Sequence, residues 1–96
     1  MNQVICAAIQ SKHVLVFEYD GLPREIEPHA HGRSSTGKEV VRGFQTAGRS
    51  SSPSLGWRLW DVTKMRSLTV SPQTFAIARP DYVRGDSQMH PVHCEL

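Results

Sequence analysis

The stretch His13–Pro28, HVLVFEYDGLPREIEP, constrains the fold of this chain more than any other. Leu15, Phe17 and Tyr19 alternate with Val16 and Glu18. That two-residue period, rich in aromatic and β-branched types, is the mark of a strand with one buried face. Asp20-Gly21 supplies the positive φ that a tight turn needs, and Pro23 cannot sit in a central ladder. Arg24–His29 then reads as a second short strand closed by Pro28. Such a hairpin brings Arg24 beside Tyr19.

The flanking segments extend the pattern. Residues 2–12 place Val4, Ile5, Ala8 and Ile9 at helical spacing with Asn2 as N-cap. A helix that short must lean on the strands. After the hairpin, residues 31–39 form a polar loop with a turn at Gly37, and Glu39–Gly48 a third strand in which Gly43 permits a bulge. The serine-rich run 48–56 is the most flexible segment. Residues 57–64 are the fourth strand and Met65–Val70 the fifth or its continuation. A turn follows at Ser71-Pro72, then an apolar patch at Phe75, Ala76 and Ile77. The tail from Arg84 is polar, anchored by Val92 and Leu96, and wraps the sheet edge. Several short strands after one helix argue for a small barrel or sandwich.

Length and composition narrow the class. Ninety-six residues make one core. The net charge of +2, from 11 Lys+Arg and 9 Asp+Glu, is too small to argue from alone. Eight of the eleven cations are arginine, which favours phosphate, carboxylate and ring contacts. No apolar run approaches the ~20 residues of a membrane helix. With no secretory segment ahead of Cys6, the two thiols are expected reduced in a cytosol, with Cys6 an inert core group; a Cys6–Cys94 disulfide is the alternative.

Trp57 and Trp60, the two tryptophans, straddle Arg58. Strand alternation places Arg58 on the face of Trp60 and Val62. With that face turned inward, Arg58 stands at the rim, its head reaching a pocket or solvent. The plainer reading is an arginine stacked on a ring and paired to a carboxylate.

The order of these pieces resembles the WYL domain, a small SH3/Sm-like β-barrel of bacterial transcription regulators and defence-associated proteins. A helix leads into a strand ending in FEY at Tyr19. REIEPH is similar to the family's Arg-x-x-x-Pro stretch through Arg24 and Pro28, and WRLWDVTKM to its Trp-Arg-x-Phe-Arg-x-x-Arg-Ile stretch. Leu68, Val70 and Phe75 follow in order. Glu39, Val40 and Val41 stand in place of the eponymous tripeptide, Asp61 in place of the second arginine of the ligand strand and Lys64 in place of the third. The resemblance implies one domain: a helix over 1–12, a barrel of about five strands over 13–78 and an extended tail over 79–96, the helix packed across one open end. It implies a module that binds an anionic small ligand or single-stranded nucleic acid through Arg24 and Arg58, with Lys64 at a third basic position and Tyr19 and Trp57 beside them. Arg42, which shares a strand face with Val40 and Phe44, is placed in the same cluster. The module is expected to be non-enzymatic and cytoplasmic. No cofactor is expected.

Other classes are weaker on the residues. His29-x-His31 puts two rings on one side of a strand, and His90, His93 and Cys94 could join them, but zinc-type spacings are missing and no metal is expected. Glu25 and Glu27 share a face without a catalytic role-pair, so the chain does not read as an enzyme. For single strands, Trp57, Phe44 and Tyr82 could stack bases beside Arg33, Arg49 and Arg66. The alternative is a protein–protein module, for example a small phage or mobile-element protein that binds a host complex, or a second copy of itself, through an exposed sheet edge.

Overall fold

The computed structural model of the protein describes residues 1–48 and 55–96, so most of the serine-rich run lies outside the described residues. Helix α1, Gln3–Ser11, precedes β1 (His13–Tyr19), β2 (Leu22–Arg33), β3 (Glu39–Gly48) and β4 (Gly56–Asp61). A 3-10 turn, Val62–Lys64, leads to β5 (Arg66–Thr74), and β6 (Val92–Glu95) closes the chain. The six strands form one antiparallel sheet in the order β4-β3-β2-β1-β5, with β6 on β2. The protein is therefore mainly β with one N-terminal helix. Among the described residues no ladder joins β4 to β5, and the sheet is open. Among the described residues no helix is long and apolar enough to cross a membrane.

The first hairpin follows its sequence. Asp20 and Gly21 both take positive φ, and Tyr19 faces Leu22 across the turn. Asn2 caps α1, its Oδ1 accepting the Ile5 N–H at 3.1 Å. The helix lays Ile5, Ala8 and Ile9 on Leu15, Phe17, Ile26, Val41 and Trp60, the main core.

Three boundaries differ from expectation. First, β2 runs through Pro28 to Arg33, and the turn before β3 is confined to residues 34–38. On one side β1 pairs as far as Ile26 and β6 begins at Ala30, so Pro28 sits in the gap between them. On the other side the register slips between Pro28 and Ala30. The missing proline donor thus interrupts no regular ladder. Secondly, β4 stops at Asp61. Its Oδ1 accepts the Thr63 N–H at 3.0 Å and the Thr63 hydroxyl at 2.7 Å, capping the 3-10 turn where a fourth strand was expected to continue. Thirdly, Ser71-Pro72 is no turn. It lies in β5, which among the described residues pairs only with β1, and an edge strand tolerates proline.

The bulge at His29 matters most for the side chains. One extra residue on β2 sends His29 and Ala30 to the same face and returns His31 to the other. His29 meets Trp57, Phe75 and Tyr82, whereas His31 meets His93. The two rings expected on one side are on opposite sides. Gly43 lies opposite Pro28 at this bulge, and a Cβ there would come 2.6 Å from Ile26 Cδ1.

The cysteines also correct the expectation. Cys6 and Cys94 are joined in a disulfide, tying α1 to β6. The two ends converge because the tail does wrap the edge: β6 pairs with β2 alongside α1. Spacing could not show this, since 88 residues separate the pair.

Candidate functional site

Trp60 is the pivot of the site. Fully buried, it packs edge-on against Tyr19 and Phe17, with ring centroids 5.0 and 5.3 Å away. Its indole N–H donates to the Gly43 carbonyl at 3.2 Å. The Asp61 N–H donates to the Tyr19 hydroxyl at 3.0 Å, fastening the end of β4 over the end of β1.

Two guanidinium groups flank these rings. Arg58, on the Trp60 face of β4 as alternation demands, lies 4.9 Å from both ring centroids, Tyr19 and Trp60. Its side chain is 40% exposed, and its carboxylate partner, Asp20, is 3.8 Å away and 55% exposed. That is a long, solvated pair worth well under about 1 kcal/mol. Arg24, on β2, is 5.8 and 5.6 Å from the same two rings but wholly buried. Its Nη2 donates to the Tyr19 carbonyl at 3.2 Å and its Nη1 to Gln45 Oε1 at 3.4 Å. Its Nε has no hydrogen-bond partner among the described residues. Burial pulls the Arg24 pKa down, and the nearby Arg58 charge pulls it further. Two cations thus share one aromatic clamp, one open and one enclosed, with a single weak counter-charge among the described residues.

The remaining expected site residues lie elsewhere. Arg42 sits on the other face of the sheet, where Asp86 accepts from it at 2.7 and 3.3 Å and Gln88 at 2.7 Å. Its charge is engaged, and burial of the pair is outweighed by the Arg42 contact in holding Asp86 below its usual pKa. Trp57 points the same way, as its odd-even relation to Trp60 requires. It donates to Asp81 at 2.7 Å and packs with Phe44, His29 and Tyr82. Lys64 is exposed on the 3-10 turn. The structure therefore joins Tyr19, Arg24 and Arg58 and separates Arg42 and Trp57 from them.

A cleft of about 390 Å³ opens on that second face, lined by Arg42, Trp57, Asp81, Tyr82 and Asp86 among others. Two carboxylates border it, which suits an anion poorly. The aromatic trio proposed for base stacking does gather here, with Trp57 and Tyr82 stacked at 6.1 Å, but Arg33 is paired to Glu39 and Arg66 lies on β5. Arg49 is outside the described residues. Sequence reading missed Arg79, which stacks 3.7 Å over Phe44, binds Glu27 at 2.9 Å and donates its backbone N–H to His29. It also missed Gln45 and Asp20 beside the arginine pair. Asp20 carried a signal, standing one residue after Tyr19 in the turn.

Of the five metal candidates, Cys94 is consumed in the disulfide and His90 is exposed. The His29 ring nitrogens face the Glu27 carbonyl at 2.8 Å and the Arg79 N–H at 3.0 Å. His31 and His93 come together, joined by Glu39, which sequence reading had not included. Compared with family models, curated proteins and solved structures, the chain matches none.

Proposed function

We propose that this chain is a non-enzymatic binding module, a WYL-like domain whose open sheet is a variant of the SH3/Sm-like barrel, and that it takes an anionic ligand at Arg58. The observation that carries the reading is the clamp itself. Arg58 is held over two rings with half-open access, and behind it stands Arg24, whose buried Nε has no hydrogen-bond partner among the described residues. A cation fixed by ring packing meets an incoming phosphate or carboxylate with little ordering cost, and Arg24 adds field from a region of low dielectric. Asp61, which stands where the WYL pattern has arginine, lowers the local charge, so a mononucleotide or cyclic nucleotide fits better than a long phosphate track. Occupancy would act by changing how the module engages a partner, as expected of a transcription-linked or defence-associated regulator. The reading places the module in the cytoplasm. The Cys6–Cys94 bond weighs against that, since such cross-links persist mainly in oxidising compartments.

A thermal-shift screen against nucleotides, cyclic dinucleotides and short single strands tests the proposal. A binding class raises stability by about 2.7 kcal/mol at a hundredfold excess over Kd, and Arg58→Ala abolishes the gain. A steep fall of affinity with salt would identify a single strand, and a shallow one a compact ligand. Retained binding in Arg58→Ala would refute the site.

A protein–protein role is supported by one separate observation. Strand β5 leaves its outer edge unpaired among the described residues and exposes Val70 there, which would accept an added strand.

A further inference from the structure

On the opposite side of β2 from His29, three neighbouring strands each contribute one donor side chain to a single point. His31 is on β2, Glu39 opens β3 and His93 lies on β6. The His31 ring is wholly buried, and its Nδ1 faces the Val40 carbonyl at 2.8 Å. A carbonyl only accepts, so Nδ1 carries the proton and Nε2 offers its lone pair. This is the arrangement by which metal-binding histidines are oriented, with the second ring nitrogen held by a backbone oxygen. Glu39 Oε1 is 3.8 Å from that lone pair, and His93 Nε2 is 3.1 and 3.3 Å from the two Glu39 oxygens.

All three ligand atoms lie within 4.8 Å of one another. Donors around a tetrahedral zinc ion are about 3.3 Å apart, given metal–ligand bonds of about 2.0–2.1 Å. Side-chain rotation of His93 and Glu39, 14% and 26% exposed, supplies the remaining closure, while His31 stays fixed. At present the Asn2 N–H donates to His31 Nε2 at 3.0 Å, and the Met1 ammonium and Arg33 approach Glu39 at 3.2 Å each. These cationic and N–H contacts occupy the place that a metal ion would take.

We propose that His31, Glu39 and His93 form a site for a divalent transition-metal ion of the zinc class, distinct from the arginine clamp. Two imidazoles select such an ion over magnesium or calcium, and three protein ligands leave a fourth position open. The bound ion would cross-link β6, β2 and β3 beside the disulfide.

Zinc titrated calorimetrically into the full chain in chelator-free buffer is expected to bind one ion per chain, and cobalt to show the visible absorption of a four-coordinate ion. His93→Ala and Glu39→Gln, each checked for retained fold by circular dichroism, are expected to weaken zinc binding more than about 100-fold, beyond the 10–100-fold cost of an outer-shell change. His90→Ala, outside the cluster, is expected to bind as wild type. Absence of zinc binding to the wild-type chain would overturn the proposal. So would wild-type affinity in folded Glu39→Gln, or loss of binding in His90→Ala.

Discussion

The Arg24 and Arg58 guanidinium groups lean on the same two rings, Tyr19 and Trp60, yet one is sealed in the core and the other reaches solvent. That asymmetry separates their roles. In the proposed site Arg58 would meet a ligand directly, whereas Arg24 would act through the field it projects and the ring it supports. No ion pair to Arg24 forms among the described residues, so its burial costs desolvation that neutral hydrogen bonds only partly offset.

Arg24→Met should therefore leave stability within about 1 kcal/mol of wild type or raise it, because an apolar chain of similar length removes an unpaired buried charge. Urea unfolding measures this. A loss above about 3 kcal/mol, the scale for breaking a buried ion pair, would mean that Arg24 is held by a partner charge after all.

Reduction of the disulfide, or Cys6→Ser with Cys94→Ser, should lower stability by about 2–4 kcal/mol. At roughly 4–8 °C per kcal/mol for a domain of this size, the melting temperature should fall by more than about 8 °C. Equal melting with and without dithiothreitol would show that α1 and β6 hold together without the bond.

Two glycines make a graded pair. A Cβ on Gly32 would meet the Pro91 carbonyl oxygen at 2.5 Å, a backbone atom that cannot turn aside. On Gly43 it would meet Ile26 Cδ1, which can rotate away. Gly32→Ala should cost about 1–3 kcal/mol, the range for overpacking, and Gly43→Ala less. The reverse order in denaturant midpoints would count against the packing of the β6 turn on β2.

Acid should loosen the Arg42–Asp86 contact. Asp86 is held below its usual value of 3.8, so its pKa is lower folded than unfolded. The stability it contributes is fully present above about pH 4 and is lost as pH falls through the folded pKa. Asp86→Asn should flatten the stability–pH curve in that acid range while leaving its shape near neutrality unchanged. An identical acid slope in the variant would show that other carboxylates carry it.

Tyr19, Asp20-Gly21 and Arg24 were readable as a hairpin, because a two-residue period and turn chemistry are local. The shared face of Arg58 and Trp60 was readable for the same reason. The opposed faces of His29 and His31 were not, since one bulged residue inverts everything beyond it and only pairing with β3 reveals the slip. Glu39 joins the two histidines through strand register alone. The Cys6–Cys94 bond depends on β6 finding β2 across most of the chain. Arg42 was misplaced because only the pairing with β4 shows that it stands opposite Leu59, on the face away from Arg58 and Trp60, and Asp86, its partner, is 44 residues away.

The most direct measurement is the set of arginine Nε–H resonances in a ¹⁵N correlation spectrum during titration with whichever nucleotide the thermal screen selects. The Arg58 signal should move first and furthest, the Arg24 signal should follow because its Nε has no hydrogen-bond partner among the described residues, and those of Arg42 and Arg79 should stay still. Shifts at Arg42 and Arg79 with Arg58 unmoved would put the ligand in the cleft beside Trp57 and contradict a site at Arg58.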